Sequence, residues 1–252
     1  MFVHGDLTLT SVPKNYWLIP VFEIWDTHVY DRYIPIKEGM TVVDAGASIG
    51  IFALYASQKV GSTGKVIAFD PEPTSFNALA ENVANSSNVI PVNIGLHNKS
   101  GAIKLGIQND LYCTSMFTES KKTIDVNVER LDKYLANLGI THVDFLKIDT
   151  EGAGQVILEG AEELLPNIDN IAMELHPNIP EENAQQIEQL LQKSGFRTKI
   201  THHYGLIPYL YATRDASIEF PTIETWQVVA VGGVAVILFY LVTRKKKQKR
   251  KS

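Results

Sequence analysis

A chain of 252 residues, 45% hydrophobic and 20% charged, is long enough for one large globular domain or two small ones. Its net charge of −5 joins two unlike parts. Residues 244–251 carry seven positive charges and the remainder has 16 basic against 28 acidic residues, a body at −12 that excludes nucleic-acid binding through the folded domain, where phosphates would need Lys and Arg. The single cysteine, Cys113, excludes an intrachain disulfide, fits a reducing compartment and reads as an ordinary small residue, not a nucleophile.

The first residues, Met1-Phe2-Val3-His4-Gly5-Asp6, lack a basic region followed by an apolar core and predict no secretory leader. Residues 1–38 carry aromatic and β-branched runs, Tyr16-Trp17-Leu18-Ile19 and Val21-Phe22-Glu23-Ile24-Trp25, with prolines between them; they predict an N-terminal cap of short strands with room for one helix. From residue 40 strands and helices alternate: strand 41–44, helix 51–59, strand 65–69, helix 75–85, strand 89–93. An irregular stretch with one or two strands covers 101–128. Then come helix 129–138, strand 143–148, helix 156–165, strand 171–174 and helix 181–193. Segments 196–201 and 209–212 predict a closing antiparallel hairpin. Near-continuous apolar strands separated by helices predict a doubly wound α/β domain over 39–215, its mainly parallel sheet covered on both faces. Ligands in such sheets bind beyond the carboxyl ends of the strands. That rule selects residues 44–50, Asp70, 93–97, 149–151 and 174–176.

Beyond a linker at 216–224 the character changes. Residues 225–243 hold no charge and are mostly Val, Ile, Leu, Ala, Gly and Phe. As a helix they would span about 28 Å, one hydrocarbon thickness. Trp226 and Tyr240 stand near the two ends, as interfacial aromatics do, and the basic tail 244–252 follows at once. The pattern predicts a single membrane-spanning helix. A core helix would carry a polar face. Positive flanks favour the cytoplasmic side, which would leave the folded domain outside; insertion of the tail would keep the domain cytosolic but carry seven cations across; a third arrangement is shallow insertion with the tail held by anionic lipid. A cofactor made in the cytosol argues for a domain facing the cytoplasm, the expectation adopted here.

The segment Asp44-Ala45-Gly46-Ala47-Ser48-Ile49-Gly50 has the form of a strand entering a tight turn before a helix, with two glycines four apart. No register fits the Gly-x-Gly-x-x-Gly of nicotinamide cofactors. A pyrophosphate would not sit beside Asp44, whereas the positively charged sulfonium and amino group of S-adenosyl-L-methionine would. Asp70 ends the next strand, 20 residues after Gly50, where a carboxylate accepts from ribose hydroxyls, and Pro71 follows it. Asn93 and Gly95 follow the third strand, where an adenine edge would lie. The predicted cofactor-binding set is therefore Asp44, Gly46, Ala47, Gly50, Asp70, Pro71, Asn93 and Gly95.

Val143-Asp144-Phe145-Leu146-Lys147-Ile148-Asp149-Thr150-Glu151-Gly152 resembles the signature of the FkbM-type methyltransferases. The loop 42–50 is similar to that family's cofactor loop, Phe69-Asp70-Pro71-Glu72-Pro73 with Leu79 and Asn82 to its second motif, and Leu158-Glu159-Gly160-Ala161 to the stretch after the signature. The resemblance covers about residues 20–212. It implies a class I methyltransferase-like, Rossmann-like fold and O-methylation of a sugar or secondary-metabolite hydroxyl. Two positions depart from the pattern: glutamate is commoner where Asp70 stands, and Gly154 replaces a second acidic residue.

Methyl transfer from a sulfonium is an in-line displacement, and a hydroxyl acceptor needs a base. The predicted catalytic group is Asp149, Glu151, Glu174 and His176; the first two would bind the acceptor or serve as base, and the second two would share that work. These four also offer oxygen and nitrogen ligands, though their spacing is not diagnostic of a metal and none is expected. Lys147, two residues before Asp149, predicts an ion pair with an acidic neighbour at the strand end. His202-His203 reads as polar turn chemistry or as part of an acceptor pocket. A membrane tether would favour a glycolipid or lipid-linked glycan as acceptor. The alternative is a membrane-tethered module that binds cofactor or glycan without catalysis, for which Gly154 is the sequence support.

Overall fold

The computed structural model describes residues 1–14, 18–107, 122–179, 182–203 and 207–220. The chain opens with a hairpin, β1 (Phe2–His4) and β2 (Leu7–Leu9), and a π-helical turn, Val21–Asp26. There follow β3 (Thr41–Ala45), α1 (Ile51–Val60), β4 (Lys65–Phe69), α2 (Pro73–Val83) and β5 (Val89–Val92). The strands β6 (Gly95–Leu96), β7 (Gly101–Ile107) and β8 (Lys122–Glu129) form a small separate sheet in the order β6-β8-β7. Next come α3 (Leu131–Asn137), β9 (Val143–Ile148), α4 (Gly154–Glu159), β10 (Ile168–Glu174), α5 (Ala184–Lys193), β11 (Arg197–His203) and β12 (Ile207–Thr213).

The main sheet has seven strands in the order β11-β12-β10-β9-β3-β4-β5. All neighbours from β10 to β5 are parallel; β12 runs antiparallel to both β10 and β11. The expected closing hairpin is thus present, with its second strand inserted beside β10. From β3 the chain first moves outward through β4 and β5, then returns to lay β9 on the other side of β3. That reversal opens a crevice at the carboxyl ends of β3 and β9, the place where a parallel sheet accommodates a ligand.

Alternation along each strand sorts side chains to two cores. Val42, Val66, Ala68, Phe145, Ala172, Tyr209 and Tyr211 join α1, α2 and the N-terminal segment on one face. Val43, Ala45, Ile67, Phe69, Leu146, Ile148, Ile171 and Met173 join α3, α4 and α5 on the other. Full burial of a side chain such as Phe52 or Phe145 contributes about 1.5–3 kcal/mol. Residues 1–38 are built into the first core through Leu7, Leu9, Val21, Ile24, Val29, Tyr30, Ile34 and Ile36. Helix starts follow local chemistry: Glu72 caps α2, accepting from Ser75 N at 2.6 Å with Pro73 behind it, and Asn183 caps α5 through Gln185 N and Gln186 N.

One expectation is corrected and two are made specific. Within the cap of short strands and room for one helix expected over 1–38, the run 21–25 takes the helical place as a wide turn: Thr27 N donates to Phe22 O at 3.0 Å and Val29 N to Glu23 O at 3.0 Å. An aromatic, β-branched run satisfies either geometry when it packs on a neighbour, here α1. The helix expected at 156–165 is shorter and earlier, Gly154–Glu159, after which bonds such as Ala161 N to Leu158 O and Leu164 N to Ala161 O tighten the chain. Gly160 is pressed on the backbone of His97, whose oxygen lies 2.0 Å from where a Cβ would stand. The irregular stretch holds two strands, within the one or two expected, β7 and β8 of the second sheet; residues 108–121 lie outside the described residues. Among the described residues no helix is long and apolar enough to cross a membrane; the segment 225–243 and Cys113 lie outside them.

Candidate active site

Two loops meet at the crevice. The first leaves β3, the second leaves β9, and they touch at Gly46. This glycine has φ +81°, and a Cβ on it would stand 1.8 Å from the backbone oxygen of Asp149. Only glycine permits that approach. Gly46 N and Ala47 N both donate to Phe69 O, at 3.1 and 2.9 Å, so the loop is also tied to the end of β4. Ser48 and Glu151, with φ of +51° each, hold left-handed backbone without being glycine; such conformations persist where surrounding contacts enforce them.

Beneath the loops lies an ion pair. Asp44 and Lys147 are register partners on β3 and β9 and are both buried. Lys147 Nζ stands 3.0 Å from Asp44 Oδ1 and 3.8 Å from Asp149 Oδ2, and donates to Gly46 O at 2.7 Å. The ion pair expected of Lys147 is therefore present. Burial alone would lower this ammonium, but Asp44 and Asp149 outweigh it and hold it above the ordinary lysine value. Burial raises Asp44, with Lys147 opposing. Apart from that ammonium, neither oxygen of Asp44 has a partner among the described residues.

The structure brings Asp70, Pro71, Asn93 and Gly95 together at the ends of β4 and β5. Asp70 accepts from Ser48 N at 2.8 Å and from Glu72 N at 2.9 Å, and burial pushes its carboxyl up to about 7. Asn93 Nδ2 donates to Asp70 O and Pro71 O, and a Cβ on Gly95 would come within 3.3 Å of Pro71 Cβ. Gly50, with φ +92°, opens α1 and packs on Leu79.

Across the crevice Asp149, Glu151, Glu174 and His176 also gather. His176 Nε2 lies 3.7 Å from both Glu151 Oε2 and Glu174 Oε1. Asp149 Oδ2 accepts from Tyr30 OH at 2.7 Å, and Glu174 Oε2 from Tyr209 OH at 2.9 Å. Burial, with the charge of Asp149 adding, lifts Glu174 well above the usual carboxylate range. Burial takes Glu151 to about 7, against the pull of His176. Burial alone would lower His176; its bond to Glu182 and the charges of Glu174, Glu151 and Asp149 raise it to about 9. One ligand atom each from Asp149, Glu174 and His176 lies within 4.8 Å of the others, a spacing a divalent cation would tolerate; His142, Asp144 and Asp169, at the opposite end of the sheet, share that spacing. His202 is exposed on β11 and is not part of this group.

Four participants escaped sequence reasoning. Tyr30 comes from the N-terminal segment and Tyr209 from β12; each carries its hydroxyl to a carboxylate from a strand end. Glu23, on the π-helical turn, is pushed up to about 7 by burial with Asp149 adding. Glu182 is buried and reaches into the space beside Gly154, whose added Cβ would meet Glu182 Oε1 at 2.7 Å and Met173 Cε at 1.9 Å. The one sequence signal for Glu182 is an acidic residue directly before a position, Asn183, that already supplies the helix cap.

The arrangement pairs a glycine-bearing turn with a cluster of carboxylates and an imidazole, fit to receive a cationic donor beside an acceptor with a proton to lose. Comparison with known proteins gives the family. The Methyltransferase FkbM domain profile matches residues 44–198. Methyltransferase sdnD of Sordaria araneosa is 30% identical over 210 residues, covering 69% of this chain and 80% of that protein. The 31-O-demethyl-FK506 methyltransferase FkbM of Streptomyces tacrolimicus is 27% identical over 190 residues, 61% of this chain and 72% of that one. Among solved structures, a SAM-dependent methyltransferase from Aquifex aeolicus superposes with a TM-score of 0.50 at 21% identity, over 78% of this chain and 94% of that one, a likeness of fold.

Proposed function

This chain belongs to the FkbM methyltransferase family and is an S-adenosyl-L-methionine-dependent methyltransferase; from that premise we propose that it methylates a hydroxyl of a sugar, glycolipid or secondary metabolite at the junction of the β3 and β9 loops. The observation that carries this reading is the contact of Gly46 with the Asp149 backbone, which sets the glycine turn directly against the carboxylate group.

In this reading Gly46, Ala47 and Gly50 shape the turn around the donor. Asp70, with Pro71, Asn93 and Gly95 packed around it, meets the ribose and adenine side. The fit rests on Asp44, a buried carboxylate whose oxygens have, among the described residues, no partner but Lys147, and which gives the turn a carboxylate suited to the donor's amino group and sulfonium. S-adenosyl-L-methionine supplies an electrophilic methyl group. With the donor bound, the acceptor oxygen would bond to that carbon as the carbon–sulfur bond breaks, the sulfur keeping the bonding pair, and the hydroxyl proton would pass to a carboxylate of Asp149, Glu151 or Glu174. The carboxyl of Glu151, lifted by burial to about 7, suits this step, since a base works best near the ambient pH. Tyr30 and Tyr209 hold Asp149 and Glu174 in place.

The acceptor is read as membrane-associated. Residues 225–243 form the proposed single span, with the catalytic domain facing the cytoplasm, where the cofactor is made. Tethering confines the enzyme to the plane of the membrane and favours a glycolipid or lipid-linked glycan.

Calorimetric titration with S-adenosyl-L-methionine, then incubation of the full chain with methyl-labelled cofactor and a membrane lipid extract, tests the chemistry. Binding followed by label in a glycolipid ether is expected; Asp149→Asn should retain binding and lose about 10²-fold or more in turnover. Absence of cofactor binding would refute the assignment. Protease protection in sealed vesicles reads the orientation: a domain degraded from the cytoplasmic face is expected, and a protected domain would reverse it.

A further inference from the structure

His176 has one nitrogen committed. Glu182 Oε2 accepts from the backbone N–H of His176 at 2.5 Å and stands 3.1 Å from its Nδ1, while Glu182 Oε1 accepts from Gly154 N at 3.2 Å. The Glu182 side chain is 1% exposed and that of His176 14%. A carboxylate accepts only, so Nδ1 must carry the proton, and one side chain holds both the ring and the backbone N–H of this histidine. The bare backbone of Gly154 leaves the room in which that carboxylate sits. Its other nitrogen, Nε2, points between Glu151 and Glu174, 3.7 Å from each. That gap is too long for a direct hydrogen bond and wide enough for one hydroxyl oxygen at about 2.8 Å from Nε2 and from a carboxylate oxygen.

We propose that Glu182 is a positioning residue: it fixes His176 with Nδ1–H on its own carboxylate and turns Nε2 toward Glu151 and Glu174, where the two flank the acceptor hydroxyl. This rests on the acceptor site proposed above and extends it to a residue outside the strand-end motifs. His176 is then the hydrogen-bond donor that orients the acceptor oxygen, and the proton leaves to a carboxylate, not to the imidazole. The groups facing the ring come from every neighbouring element: Asp149 and Glu151 after β9, Glu174 on β10, Glu182 before α5, and, one layer out, Tyr209 of β12 and Glu23 of the N-terminal turn, both acting on Glu174. Carboxylates outnumber the lone imidazole in this shell, so a protonated ring is the stable state.

Ring-nitrogen NMR of the full chain, labelled at histidine and followed against pH, tests this without any acceptor. His176 is expected to stay protonated at Nδ1 through pH 8 in the wild type. In Glu182→Gln its midpoint should fall by at least one pH unit. In turnover assays the same variant should lose about tenfold or more in kcat at unchanged KM for the cofactor, and Glu182→Asp should recover part of it. A wild-type His176 titrating near 6.5, or a Glu182→Gln variant with the wild-type midpoint, would overturn the proposal. So would stoichiometric Mn2+ binding abolished by His176→Ala, which would put a metal where Nε2 faces. Failure of methyl transfer alone would count against the acceptor reading and leave the ring assignment standing.

Discussion

At the residue scale, the ion pair of Asp44 and Lys147 decides whether the two loops can meet. Both side chains are buried, and Lys147 also holds Gly46 O. Removing one member of such a pair leaves an uncompensated buried charge and costs about 3–5 kcal/mol, whereas replacing both by groups of similar shape is often nearly neutral. Lys147→Met should therefore destabilise the chain by that amount, and Asp44→Asn together with Lys147→Met by much less than the sum of the single changes. Denaturant unfolding of the four members of the cycle measures this. Additive losses would mean that the pair contributes nothing as a pair. The double variant, even if stable, should bind S-adenosyl-L-methionine more weakly, because the carboxylate nearest the turn and the ammonium that holds Gly46 O are both gone.

At the scale of elements, the N-terminal segment forms one wall of the site. Its π-helical turn packs on α1, and Tyr30 sits edge-on to Phe52 and Tyr209 with its hydroxyl on Asp149. Tyr30→Phe keeps the ring packing and removes only that donor, so it should lower turnover by about tenfold while leaving cofactor affinity and thermal midpoint close to wild type. Steady-state kinetics beside calorimetry checks it; equal losses in cofactor binding and turnover would mean that Tyr30 acts through the loop and not through Asp149. This wall also marks the limit of what the sequence reveals. The strands β3, β4, β9 and β10 were legible because long apolar runs ending in acidic residues have few other folds, and the loop residues 44–50, Asp70 and 149–151 followed from that. Tyr30, Tyr209 and Glu182 were not, because each reaches the site from a distant part of the chain and nothing in its neighbours records the destination. Glu23 was hidden for another reason: its run satisfies strand and turn periodicities alike, so its facing was undetermined until packing chose the wide turn.

At the scale of the whole molecule, protonation couples the site to stability. Burial lifts Glu23, Glu151 and Asp70 to about 7, far above the values they regain in the unfolded chain. Between about pH 4 and 7 the folded state keeps protons the unfolded state has lost, so stability falls as pH rises through that window. His176, lifted to about 9, contributes stability that is complete below about 6.5 and disappears as pH rises through 9. Both effects have the same sign. The acids held below their ordinary values, half-buried Glu129 and exposed Asp215, act only at lower pH. The thermal midpoint of the full chain should therefore decline steadily from pH 5.5 to 9. A cationic donor changes the balance: its sulfonium favours ionised carboxylates and releases their protons on binding. S-adenosyl-L-methionine should then raise the midpoint more at pH 8 than at pH 6, while S-adenosylhomocysteine, which lacks the sulfonium charge, should raise it nearly equally at both. Scanning fluorimetry at matched ligand concentrations distinguishes the two. Equal pH dependence for both ligands would mean that the acidic cluster does not sense the sulfonium, and that its charge serves the acceptor alone.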